Sequence, residues 1–411
     1  MTASAPEFEL TCSRCGETRA PTPLAALCPS CGGVQVVRYP ATEAGAGAGA
    51  GSGAAAKPEP ETRGGLPADL RDTWRSRPSG MWRYRELLPL RPGESPISLG
   101  EGGTPLLDLP VTGDRLGVRL LVKDEGGNPT GSFKDRGMSA AVTRAAHDGA
   151  TSFVVPSAGN AGVALAAYAA RAGKPATIFI PEDTPDTVAE RCRAYGADLR
   201  SVPGLISDCG ARAAAFAAET GAFDLSTLRE PYRIEGKKTM GFEILEALEW
   251  RAPDAVVYPT GGGTGLIGTW KALRESAALG WIPDPDTRMY AVQGEGCAPV
   301  VRAWAAGADT AEPWVDARTA AWGLRVPSAR GDALMLRTLR DSGGGAVAVS
   351  DIEMLEAASD AARADGLGLG IEGGATLAAA RRLVETGEIA PGETVVLFNT
   401  GNLTNYGWYT S

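Results

Sequence analysis

From about Ser95 onward the chain alternates short apolar runs with Ala-rich helical runs, and this rhythm limits its fold more than any other feature. The apolar runs, read as strands, are 120–123, 152–156, 176–180, 255–259, 289–293, 346–349 and 394–398. Helical runs lie between them at 161–172, 187–195, 238–250 and 266–279. Repeated strand–helix alternation predicts an α/β protein with mostly parallel sheets and right-handed crossovers. In such folds ligands gather at the carboxyl ends of strands, on the loops that lead into helices. The chemistry is therefore sought in the loops just after strands.

Four of these loops are unusual. The first, Asn128-Pro-Thr-Gly-Ser-Phe-Lys134-Asp-Arg136-Gly137, leads from a strand into a helix. Burial and the neighbouring Arg136 would disfavour the charge of Lys134, the condition for a nucleophilic amine. The plainer reading is a surface lysine paired with Asp135. The second is Pro156-Ser157-Ala158-Gly159-Asn160. Gly159 lets the backbone turn, the free amides at the helix start suit a carboxylate, and Asn160 can donate to a ring oxygen. Equally, Ser157 or Asn160 can simply cap the helix. The third loop, Gly261-Gly262-Gly263-Thr264-Gly265-Leu-Ile-Gly268, lets backbone amides and a helix dipole converge on a phosphate. It also fits the G-x-G-x-x-G dinucleotide pattern, with Glu295 after the next strand, which keeps a nicotinamide-dependent oxidoreductase open. In the fourth, Asn399-Thr400-Gly401, the Thr400 hydroxyl can bond a pyridine nitrogen or belong to an ordinary polar turn.

The N-terminal segment is of another kind. Cys12-Ser-Arg-Cys15 and Cys28-Pro-Ser-Cys31 are separated by twelve residues, close to a zinc ribbon over 8–38. Four thiolates would close the coordination sphere, so the zinc is expected to be structural and to supply the folding energy of a segment with little core. The alternatives are unrelated thiols or a redox pair. Residues 41–63 collapse to Ala, Gly and Ser with Pro and Glu, the composition of a flexible linker. The catalytic region is expected over 66–411, beginning with a helix and the aromatics Trp74, Trp82 and Tyr84, with a smaller α/β subdomain at about 138–226.

Other classes recede. The formal charge of -9 leaves no electrostatic footprint for nucleic acid. His147 is the only histidine, which leaves little room for a His-rich metal centre or a Ser-His-Asp system, and its helical setting reads as solvated. No apolar run approaches a membrane span, and the start lacks the basic and apolar regions of a secretory leader. Cys192, Cys209 and Cys297 are scattered as in buried thiols of a reducing compartment, so a cytoplasmic location is expected.

Taken in order, Glu101-Gly-Gly-Thr-Pro-Leu, Gly131-Ser-Phe-Lys-Asp-Arg-Gly-Met, Ser157-Ala-Gly-Asn, Arg233-Ile-Glu-Gly-Lys-Lys-Thr, the Gly261 loop and Asn399-Thr-Gly resemble a known family. It is the threonine synthase branch of the pyridoxal-phosphate enzymes related to the tryptophan synthase β subunit. The resemblance covers about 66 to the C-terminus and implies the two-domain fold of that type. Many relatives also begin with a zinc-ribbon-like segment. Lys134 would hold the cofactor as a Schiff base and then move the α-proton. Asn160 would contact the ring hydroxyl, Gly261, Gly262, Gly263, Thr264 and Gly265 would cradle the phosphate, and Thr400 would face the ring nitrogen. A neutral hydroxyl there suits elimination and replacement better than transamination. Thr104, Ser157, Ala158, Gly159 and Arg233 would meet a small amino-acid substrate, possibly phosphorylated, and a homodimer is expected. Against six motifs in register, the nicotinamide reading becomes remote.

The chain departs from the family in three places. Ala161 stands where the family has a hydroxyl, Ser226-Thr227-Leu228 replaces an expected Asn-Ser, and Asn402-Leu-Thr-Asn replaces Gly-Leu-Lys. Two activities therefore stay open. One is conversion of O-phospho-L-homoserine and water to L-threonine and phosphate. The other is β-elimination or β-replacement on a serine-, threonine- or O-phosphoserine-like substrate. A third reading, a weak relative acting through its ribbon as a binding module, is opposed by Lys134 and the complete glycine loop.

Overall fold

The computed structural model describes residues 8–42, 62–63, 66–67 and 69–406. The linker expected over 41–63 lies outside the described residues, apart from 41–42 and 62–63. A six-stranded sheet runs in spatial order Gly345–Val349, Arg288–Gly294, Ala255–Pro259, Thr394–Asn399, Arg119–Asp124, Leu106–Asp108. Neighbours are parallel except at the Leu106–Asp108 edge. Side chains alternate across a strand, so both faces need cover. Val256 and Tyr258 join a core with Ile234 and Leu266, from the helices Tyr232–Ala247 and Thr264–Ala278. Ala255 and Val257 join another with Met354 and Leu377, from Asp351–Asp365 and Ile371–Glu385.

A second, all-parallel sheet has the order Asp198–Val202, Ala176–Pro181, Phe153–Pro156, Phe223–Asp224. The edge strand Asp198–Val202 has no apolar run to announce it, being Asp-Leu-Arg-Ser-Val and largely exposed. The helix read at 238–250 instead spans Tyr232–Ala247. Its first turns carry Arg233, Glu235, Lys237 and Lys238, all buried, so no polar face marks where it starts. Trp74 and Tyr84 do stack edge-to-face at 4.8 Å. Trp82 stands apart, its indole N–H shared between Glu101 and Ser139.

The N-terminal segment forms a three-stranded antiparallel sheet, with Glu9–Cys12 between Thr18–Arg19 and Gln35–Arg38. Its Phe8, Leu10, Val37 and Tyr39 belong to the same core as the helix Tyr232–Ala247. Phe8 meets Tyr232 edge-to-face at 6.3 Å, and the Tyr39 ring lies 4.3 Å from Lys238 Nζ. Among the described residues no helix is long and apolar enough to cross a membrane.

Candidate active site

The strand order of the large sheet builds the site. Ala255–Pro259, Thr394–Asn399 and Arg119–Asp124 are consecutive parallel neighbours, so the loops after them open at one end. These loops carry the Gly261 run, Thr400 and Lys134. The loop after Phe153–Pro156, in the smaller sheet, faces them across a cavity of about 620 Å³. Lys134, Ser157, Ala158, Gly159, Asn160, Arg233, the residues 261–265 and Thr400 all line it.

The Lys134 loop is pinned by the last one. Phe133 N donates to Thr400 O at 3.0 Å, Asn402 N to Gly131 O at 2.8 Å, and Asn405 Nδ2 to Gly131 O at 2.7 Å. Asn405 Nδ2 also donates to Asn160 Oδ1 at 3.2 Å, which leaves the Asn160 amide hydrogens free to donate elsewhere. One chain terminus thus orients both the lysine loop and the asparagine.

Lys134 Nζ lies 4.3 Å from the Phe133 ring centre and makes no ion pair among the described residues. Burial, then the guanidinium of Arg233, hold its amine down at about 8, with Glu372 pulling the other way. The expected neighbour is not the cause. Arg136 turns away and is closed in by Glu125 and Glu243, at 2.7 and 2.6 Å. Nor does Asp135 pair with the lysine, since its carboxylate accepts the amide and hydroxyl of Thr130.

In the glycine loop, Gly263 has φ +77°, a left-handed conformation that glycine adopts at little cost. The helix Thr264–Ala278 begins there, and its first main-chain bond runs from Ile267 N to Gly263 O at 3.0 Å. The preceding amides therefore have no partner within the helix and are presented as an anion site. A side chain at Gly261 would stand 2.4 Å from Gly323 O, so the loop also needs glycine for close approach. Gly159, by contrast, is extended at φ -166°, and its turn requires no left-handed residue. Ser157 Oγ accepts Gly162 N at 2.9 Å, so that hydroxyl caps the first turn of its helix.

Arg233 is buried and donates to Leu225 O at 2.8 Å and Thr227 Oγ1 at 3.3 Å. Burial disfavours its charge, only partly relieved by Glu230 and Asp224. Thr104 lies outside the cavity lining. It donates to Glu125 Oε1 at 2.6 Å and accepts from Arg136 at 3.0 Å, inside the buried ion network. The dinucleotide reading also loses its acid, because Glu295 is exposed and pairs with Arg382 at 3.5 Å. Two features of the lining carry no sequence signal in the four loops. One is Glu372, whose carboxyl burial pushes up and which accepts Gly323 N at 2.9 Å. The other is the wall formed by residues of 314–330.

At the N-terminus the sulfurs of Cys12, Cys15, Cys28 and Cys31 lie within 4.8 Å of one another. Cys12 and Cys31 are 3.4 Å apart, Cys15 and Cys28 3.9 Å. A zinc ion with four sulfurs at ~2.3 Å would set the sulfur–sulfur edges at about 3.8 Å. Both pairs end on a left-handed glycine, Gly16 and Gly32, whose amide returns to the first cysteine of its pair.

Residues 97–401 match the family model described as "Pyridoxal-phosphate dependent enzyme". The threonine synthase of Methanosarcina acetivorans is 37% identical over 326 residues, 79% of each chain. That of Mycobacterium tuberculosis is 35% identical over 321 residues, 78% of this chain and 86% of the other. Among solved structures, maize serine racemase superposes with a TM-score of 0.65 at 24% identity, over 74% of this chain and 89% of that one. The threonine deaminase of tomato, Solanum lycopersicum, gives 0.64 at 24% identity, over 72% and 78%. By the cavity its strand ends form and by these matches, the chain belongs to the pyridoxal-phosphate dependent enzymes.

Proposed function

We propose that the chain is a lyase of the threonine synthase type, converting O-phospho-L-homoserine and water to L-threonine and phosphate. The observation that carries this reading is one cavity lined both by the glycine loop at a helix start and by the buried Arg233, two groups each suited to an anion. Pyridoxal phosphate needs one of them, and a phosphorylated amino acid needs the other. The residues fit the cofactor. An amine that makes no ion pair among the described residues, a loop of amides at a helix start and an asparagine with free amide hydrogens meet in that space.

When bound, pyridoxal phosphate supplies a ring that withdraws electrons and acidifies the carbons beside the amine it carries. Lys134 would hold it covalently, and as a free amine near 8 it can accept or release a proton close to neutral pH. Residues 261–265 would take the cofactor phosphate. Asn160 would donate to the ring oxygen, fixed in that orientation by Asn405. Thr400 would offer the ring nitrogen a hydroxyl rather than a carboxylate. The substrate carboxylate would meet the amides at the start of the helix Asn160–Arg171.

β-Elimination or β-replacement on a serine-like substrate is the second reading, favoured by the missing hydroxyl at Ala161. The holoenzyme should therefore be given O-phospho-L-homoserine, O-phospho-L-serine, L-serine and L-threonine in parallel. Phosphate and threonine appearing in equal amounts from the first support the proposal. Keto acid or ammonia from the others, with none from the first, would overturn it.

The four cysteines would hold a structural zinc, in a cytoplasmic homodimer. Because the ribbon shares a core with the helix that carries Arg233, removing metal should lower the stability of the whole chain. One equivalent of zinc is expected in the wild type and less than a tenth in a Cys12→Ser/Cys15→Ser variant, with a lower melting temperature. Equal zinc contents by metal analysis would refute the assignment.

A further inference from the structure

Beyond Arg233 the cavity continues to a second cationic wall, lined by Arg229 and Arg330 beside Thr227. The two segments that carry them pack together and against the glycine loop. A side chain at Gly331 would stand 2.3 Å from Leu228 Cδ1 and 3.6 Å from Gly262 O, and one at Gly262 would stand 2.9 Å from Thr227 Cγ2. Leu228 is buried with φ +60°, a left-handed conformation that is unfavourable for a leucine. Thr227 and Arg229, on either side of it, both reach the cavity.

The charges on this wall are unbalanced. Arg229 pairs with Asp224 at 3.0 Å, whereas Arg330 makes no ion pair among the described residues. Arg330 is exposed, and partial desolvation with the nearby Arg229 disfavours its charge, while Asp224 acts the other way. Among the cavity's carboxylates, Asp183 pairs with Arg325 at 3.4 Å and Glu372 accepts an amide. Asp316, also lining the cavity, likewise makes no ion pair among the described residues. Thr227 Oγ1 accepts from Arg233 at 3.3 Å, which leaves its own proton to donate.

We infer that Arg330 and Arg229, with Thr227, extend Arg233 into a subsite for the distal phosphoryl group of the substrate. This rests on the lyase reading of the cavity. A phosphate dianion would relieve the crowding of like charges and accept from planar guanidinium forks, for which Arg is suited and Lys much less so. The subsite adjoins the loop proposed for the cofactor phosphate at Gly262, but the two phosphates would be read differently, one by side chains and the other by backbone amides.

The test uses the holoenzyme and its Arg330→Gln and Arg330→Lys variants, with inorganic phosphate as the probe in calorimetry and O-phospho-L-homoserine in steady-state assays. Arg330→Gln should weaken phosphate binding by about tenfold and raise KM by a similar factor, with a smaller change in kcat. Arg330→Lys should recover part of the loss, and the visible spectrum should be unchanged. Unaltered phosphate affinity and KM would overturn the inference. So would cofactor loss in Arg330→Gln, which would give the wall to the cofactor phosphate, or succinate binding as tightly as phosphate. Weakened phosphate binding in a protein that never turns over O-phospho-L-homoserine would leave the anion subsite standing and remove the substrate proposed above.

Discussion

Lys134→Ala is expected to give a folded protein without a visible absorption band and with turnover at least about 10³-fold lower, the scale of losing a covalent and acid–base group together. Among the described residues Lys134 is the only lysine lining the cavity. Lys237 is buried, with its amine 5.1 Å from the Phe133 ring centre, but does not reach that space. The wild-type apoprotein should take up pyridoxal phosphate faster as pH rises, with a midpoint near 8 where an unperturbed lysine would show one near 10.4. The sign follows from chemistry, because the neutral amine attacks the aldehyde and burial beside Arg233 favours that neutral form. At pH 7 about a tenth of the amine is then ready, against a few parts in 10⁴ for an exposed lysine. Absorbance scans and stopped-flow mixing check both outcomes. A Lys134→Ala protein that keeps its colour would refute the role.

Arg136→Leu should have the largest effect on stability, about 3–5 kcal/mol, because it leaves buried carboxylates without their partner. Arg136 is fully enclosed and bridges Glu125 and Glu243, while Lys123 reaches Glu243 alone, at 2.6 Å. Burial pushes both carboxyls up, and Arg136 with Lys123 outweighs it, so both sit below the ordinary carboxylate value. Their contribution is complete above that ordinary value, near pH 4.3, and fades as pH falls toward the lower folded values. The gap between wild type and Arg136→Leu should therefore shrink in acid. Urea titrations at pH 7 and pH 4 measure it, and adding Glu125→Gln to the variant should restore part of the loss.

The backbone plan was legible because parallel strands buried on both faces read as apolar runs, as at Ala255–Pro259 and Thr394–Asn399. The cavity loops were legible because glycine runs and a lysine after a strand have few other uses. Misreadings came where polar residues are buried by tertiary contacts. Thr104 and Arg136 stand within the motifs themselves yet belong to an ion network outside the cavity lining. Arg233, not Arg136, disfavours the Lys134 charge, and it arrives from a helix about a hundred residues downstream. The wall around Trp322 and Arg330 has one short 3-10 turn, Trp322–Leu324, and no periodic pattern, so only the folded chain brings it to the cavity. Glu372 carried a faint signal, an acid among Gly370, Gly373 and Gly374 at a helix start.

Reduction of the holoenzyme with borohydride, followed by peptide mass mapping, tests the central claim most directly. A pyridoxyl group on the peptide containing Lys134, and on no other, is the predicted result. The same group on Lys237, or a protein that carries none after incubation with pyridoxal phosphate, would contradict it.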